Sequence, residues 1–170
     1  MKRLTTVMLV SLLTMAINAQ NKFSVPTLTD LQKYQSAAWQ WHGAYISWLS
    51  YGKSLEKSAE ETGNAVGDFL KRSWNKDIGF DGFANAMLNI WVTFVPAGIV
   101  EITRQSDKGI IFVVRNFNPP VKEALIAYNI SFEEYMRFWD AAIGRLADYI
   151  GSEYNQRQTG EGLVVTIKLK

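Results

Sequence analysis

The stretch Ala37–Gly52, AAWQWHGAYISWLSYG, holds three of the chain's six tryptophans, two tyrosines and its only histidine. An imidazole among aromatic rings has three chemical readings. His42 is a helix-edge residue bonded to neighbouring backbone or side chain, a polar anchor in a ligand pocket, or a general base. The last needs partners assembled across a fold, and the sequence carries no G-x-S-x-G nucleophile turn to supply one. A binding domain is therefore expected ahead of an enzyme.

Glu101, set among Ile99, Val100 and Ile102, and Arg115, closing the run Ile110–Val114, are the other residues out of keeping with their surroundings. Each charge in an apolar strand needs a partner or an opening to water. They form either a cross-strand pair at the sheet margin or the floor of a pocket that holds a polar ligand group. No metal site is expected. One histidine and no cysteine do not make a zinc set, and there is no D-x-D-x-D-G calcium loop. Gly160 and Gly162 precede a strand, so they do not form a phosphate loop. No cofactor is expected.

Residues 1–19 have the make-up of a signal peptide: Lys2 and Arg3, an apolar run Leu4–Ala16, and Ala19 at the cut. The run is short for a membrane span, which needs about 20 residues. The chain is expected to be exported, to periplasm or medium, with residues 20–28 as a leader and 29–170 as one domain. Removing Lys2 and Arg3 from the 18 basic groups leaves 16, equal to the 16 acidic ones. Without a basic surplus, nucleic acid is not an expected partner, and no transmembrane segment is expected in the mature chain. Absence of cysteine excludes a disulfide framework.

The elements that must position these residues follow from periodicity. Thr29 and Gln32 read as a capping box opening a helix that runs to about Thr62 and stops at Gly63. A second helix is expected over about Asn64–Lys76, and a third capped by Asp81. Alternation over Ile99–Thr103 and the β-branched run from Ile110 predict a hairpin, with Arg104 on the face of Val100 and Ile102. After a short helix over Val121–Asn129, the Ser131/Glu134 box opens the clearest helix, with Gly151 as its stop. Residues 152–162 read as a polar connector to a last strand, LVVTIKLK. The expected class is α+β: several helices packed on a small antiparallel sheet made of the hairpin and the C-terminal strand.

On the first helix, Trp41, Tyr45 and Trp48 fall in one arc, expected to face inward, either as solid core or as pocket walls. Trp39 and Ile46 lie nearly opposite, and with Tyr51 they form a second apolar face for a partner, most simply another copy of the chain.

The order of elements over residues 29–169 resembles the small-ligand domains of the 4-vinyl-reductase type and their haem-nitric-oxide-binding relatives. It is also similar to proteins grouped around the amino-thiazoline-carboxylate hydrolases. The segments that carry the likeness are YISWLSYGKSLEKSAEETG, GIVEITRQSDKGIIFVVRNF, SFEEYMRFWDAAIGRLADYIG and TGEGLVVTIKL. The resemblance implies a helix–sheet cavity able to hold a small, partly apolar molecule.

The functional expectation is an exported domain that binds a small apolar or aromatic ligand in that cavity. Trp41, Tyr45 and Trp48 would be its walls, and His42, Glu101 and Arg115 its orienting polar groups. The alternatives are an interaction protein using Trp39, Ile46 and Tyr51 in a homo-oligomer or envelope complex, and a hydrolase with His42 as base.

Overall fold

The structure, a computed structural model, describes residues 28–95, 98–116 and 122–170. The signal peptide and nearly all of the leader read from the sequence lie outside those residues. Of residues 1–32, Leu28–Gln32 are described, and they contain the expected capping box. The Gln32 amide donates to Thr29 Oγ1 at 3.2 Å, and the Thr29 amide donates to Gln32 Oε1 at 2.9 Å.

Helix α1 spans Asp30–Ser54, and Lys33–Lys170 make one compact unit. Next come α2 (Ala59–Leu70), two short 3-10 turns (Lys71–Ser73 and Lys76–Ile78), and α3 (Gly79–Phe94). A hairpin of β1 (Ile99–Ser106) and β2 (Gly109–Arg115) leads to α4 (Lys122–Ala127) and the long α5 (Phe132–Ile150). A second hairpin, β3 (Ser152–Thr159) and β4 (Gly162–Leu169), completes the fold.

The four strands form one antiparallel sheet in the order β1-β2-β4-β3, so the two hairpins join through β2 and β4. Ile110, Phe112 and Val114 of β2 stand opposite Ile167, Val165 and Leu163 of β4. All six belong to the core cluster shared with the helices. The expected α+β class, helices on a small antiparallel sheet, is what the chain forms.

Three boundaries differ from the sequence reading. The first helix ends at Ser54, because a second capping box restarts the chain. The Glu61 amide donates to Ser58 Oγ, and the Ser58 amide donates to Glu61 Oε2. Gly63 therefore sits inside α2 instead of ending a helix. There it and Gly67 let α2 lie directly on α5. A Cβ at Gly63 would stand 2.3 Å from the Phe138 carbonyl oxygen, and one at Gly67 2.6 Å from that of Ala142. Asp81 lies in the first turn of α3, whose N-cap, Ile78, contributes no side-chain bond.

The polar connector is largely strand β3. It is an edge strand with its outward residues in water, so only alternate positions (Ser152, Tyr154, Gln156) turn toward the helices, and two of those three are polar. A polar strand of this kind leaves no hydrophobic alternation to read. In β1 the register skips Thr103: Ile102 stands opposite Phe112 and Arg104 opposite Ile111. That bulge moves Arg104 off the Val100/Ile102 face onto the face of Glu101.

At both ends of α5 the structure has the caps expected from the sequence. Ser131 and Glu134 form the reciprocal box, and Gly151 closes the helix in the left-handed conformation at φ 83°.

Candidate functional site

The buried stripe of α1 is Ala38, His42, Tyr45, Ile46, Leu49 and Gly52, spaced by three and four residues as one helical face requires. It does not centre on the tryptophans. Trp41 is 52 % exposed and Trp48 37 %, while Ile46 is fully buried in the core. Ile46 therefore cannot share an outer face with Trp39 and Tyr51, which are themselves exposed. The weight of the indole side chains draws the apparent apolar arc toward Trp41 and Trp48. The true stripe runs through a histidine and two small residues.

His42 is buried, not at a helix edge. Its Nε2 lies 3.1 Å from the Phe94 carbonyl oxygen and its Nδ1 2.6 Å from the Tyr135 hydroxyl. A carbonyl only accepts, so Nε2 carries the proton. In the neutral ring Nδ1 then accepts from Tyr135 Oη–H. Burial holds the imidazole below its ordinary range, partly opposed by the bond to the Phe94 carbonyl. Burial likewise pushes the Tyr135 hydroxyl far above its usual range. Both ring nitrogens thus have fixed partners, one on α3 and one on α5. The enclosed space beside them is about 10 Å³, on the scale of a single water, and lies among Trp91, Phe94, Trp139 and Ile143.

The largest space, about 680 Å³, is a polar one along α5 and the β3–β4 hairpin, with Asp148, Glu153, Arg157 and Lys168 among its walls; the apolar ones open on the helical surface. One groove of about 410 Å³ is lined by Trp41 and Tyr45 of α1, Ile90 and Phe94 of α3, and Trp139 and Ile143 of α5, with Trp74 at its margin. Phe94, Trp139 and Ile143 also bound the small space beside His42, so they are the partition between groove and histidine. Tyr45 is the hub of this aromatic cluster. Its ring centroid is 4.3 Å from that of Trp139, 5.2 Å from Trp48 and 6.0 Å from Phe94. Burial pushes its hydroxyl up to about 12. Asn89, Thr93 and Ser73 add polar groups to an otherwise apolar lining.

A second groove, of about 330 Å³, lies between α1 and α2, with Trp48, Tyr51, Leu55, Val66 and Phe69 among its walls. The three expected walls are therefore split: Trp41 and Tyr45 border the first groove, Trp48 the second.

Glu101 and Arg115 belong to neither groove. Arg115 Nε donates to Glu101 Oε2 at 3.0 Å on an exposed part of the β1–β2 ladder. The pair is diagonal, since Ile99 faces Arg115 and Glu101 faces Val113. It is the cross-strand alternative of the sequence reading, with a second contact from Arg115 to Glu161 at 3.7 Å.

Sequence reasoning missed Trp139, Phe94 and Ile90 as groove residues. In sequence Trp139 is one member of the α5 stripe, and nothing local tells a stripe residue at a groove floor from one in solid core. Among the described residues no His, Cys, Asp and Glu group is arranged to hold a metal ion, and no helix is long and apolar enough to cross a membrane. Compared with known proteins, the chain matches no family model and no curated sequence.

Proposed function

We propose that this chain is an exported binding domain whose ligand is a small, largely apolar molecule carrying an aromatic ring or hydrocarbon chain and one hydrogen-bonding atom. The groove between α1, α3 and α5 is its site. The observation that carries the reading is a space of about 410 Å³ with a mainly aromatic and aliphatic lining, in which Tyr45, Asn89 and Thr93 supply the few polar groups. Ligand pockets are mostly apolar, hold a few placed polar groups and run to about 300–1,000 Å³. The resemblance of the element order to small-ligand domains is in keeping with the same reading, although the space lies on the helical surface and not between helices and sheet. Export rests on the N-terminal segment Met1–Ala19.

The test uses 1-anilinonaphthalene-8-sulfonate and palmitate as probes, read through tryptophan fluorescence. Saturable binding is expected for both, weakened by about tenfold in Trp41→Ala, in line with the loss of one aromatic wall. The circular dichroism of that variant should be unchanged. Tyr45→Phe should weaken palmitate while leaving the fold intact. Absence of saturable binding, or equal binding by Trp41→Ala, overturns the proposal.

A further inference from the structure

The two edges of the sheet are treated differently. On β3 the outward Gln156 amide donates to Asp140 Oδ1 of α5 at 3.1 Å, and the Gln156 side-chain amide donates to the Met136 carbonyl oxygen at 2.9 Å. That edge is covered by a helix, a usual defence against further strand pairing. The β1 edge has no such cover. Every residue of β1 except Val100 is exposed, with Ile99 at 56 % and Ile102 at 45 %. Its backbone has no partner among the described residues beyond the ladder to β2.

The sequence of β1 is self-complementary once its bulge is counted. Because Thr103 is skipped, the ladder order is Ile99, Val100, Glu101, Ile102, Arg104, Gln105, Ser106, with Ile102 at its centre. Antiparallel pairing of this strand with a second copy about a two-fold axis at Ile102 places Glu101 opposite Arg104, twice. It also places Val100 opposite Gln105 and Ile99 opposite Ser106. Facing residues then lie on the same side of the sheet, as the pleat requires. Without the bulge, Glu101 and Arg104 would point to opposite faces. Arg104 has no ion-pair partner within its own chain among the described residues, whereas Glu101 already pairs with Arg115.

The geometry points to a homodimer built by β1–β1 pairing, in which Ile102 meets Ile102 of the second copy and each Arg104 meets Glu101 across the axis. Two four-stranded sheets become one continuous sheet of eight. The charges fix the register, and the exposed isoleucines supply apolar contact on both faces.

The full chain has no cysteine, which makes engineered thiols a clean probe. Directly facing residues in an antiparallel pair lie about 4.5–5.5 Å apart at Cα, within disulfide reach. Under mild oxidation Ile102→Cys should give a covalent dimer and Ile99→Cys alone none, while Ile99→Cys mixed with Ser106→Cys should cross-link. Independently, Arg104→Glu and Glu101→Lys should each weaken the dimer about tenfold in sedimentation equilibrium, by turning two attractive pairs repulsive. A mixture of the two should recover it. A monomeric chain, a dimer indifferent to both charge variants, or equal cross-linking at 99 and 102 overturns the proposal.

Discussion

His42 on α1 and Tyr135 on α5 are joined by a 2.6 Å hydrogen bond inside a core that is otherwise aromatic and aliphatic. With the bond from Nε2 to the Phe94 carbonyl, one imidazole ties three helices together. A buried polar group that is fully satisfied fixes one packing arrangement over its neighbours, because any slip leaves a donor or acceptor bare. The histidine is thus a fastening of the helical layer, and the groove next to it is built on the same three helices.

This fastening makes stability depend on mild acid. The unfolded chain takes up a proton at His42 near 6.5, while the folded chain does so only at lower pH, because burial depresses the group. Unfolding therefore binds a proton in that window, and the stability conferred by the neutral ring is lost as pH falls below about 6.5. Thermal melts between pH 7.5 and 5 should show the midpoint of the wild type falling. The corresponding slope should be smaller in His42→Gln, which cannot titrate. Parallel slopes for the two proteins would remove His42 as the cause.

The contact of α2 on α5 predicts opposite outcomes for two glycine-to-alanine changes. Gly67→Ala drives a methyl into the Ala142 carbonyl and the Arg145 side chain, both within 3 Å of the new Cβ. It should lower stability by about 1–3 kcal/mol in urea despite better helix propensity. Gly144 lies in α5 with nothing within 4 Å of an added Cβ. Gly144→Ala should raise stability by roughly 0.5–1 kcal/mol. A stabilising Gly67→Ala would mean that the two helices are not in backbone contact.

Asp140 should respond to pH in the other sense from His42. Burial raises its carboxyl above 3.8, opposed by the bond from the Gln156 amide. The fold therefore favours the protonated form: its stabilising effect is present below 3.8 and is lost as pH rises through the higher folded value. Asp140→Asn keeps an acceptor for Gln156 and cannot ionise, so it should be more stable than the wild type at pH 7. A less stable Asn variant would show that charge on the acceptor outweighs its desolvation.

Where a local signal is complete, the sequence carried it through to the fold. The Ser131/Glu134 box, the α5 stripe and Gly151 are visible because cap, periodicity and stop agree. The inward face of α1 is hard to read because its positions include Ala38, His42 and Gly52, which carry little apolar weight beside Trp41 and Trp48. Gly63 reads as a stop because a glycine needed for close helix approach looks, in sequence, like one that ends a helix. For the groove, Trp41 and Tyr45 were within reach of pattern. Trp139, Phe94 and Ile90 come from other helices, and only the tertiary arrangement brings them to the same space.

The place of β4 in the sheet also sets the timing of folding. Residues 162–169 form the last of the described strands, yet they lie between β2 and β3. As the chain emerges from a ribosome or a translocation pore, β1, β2 and β3 can be present while the strand that joins them is still to come. Until β4 is available, β1–β2 and β3 have no ladder between them. The two hairpins therefore become one sheet only when β4, which follows the other three described strands in sequence, takes its place between β2 and β3.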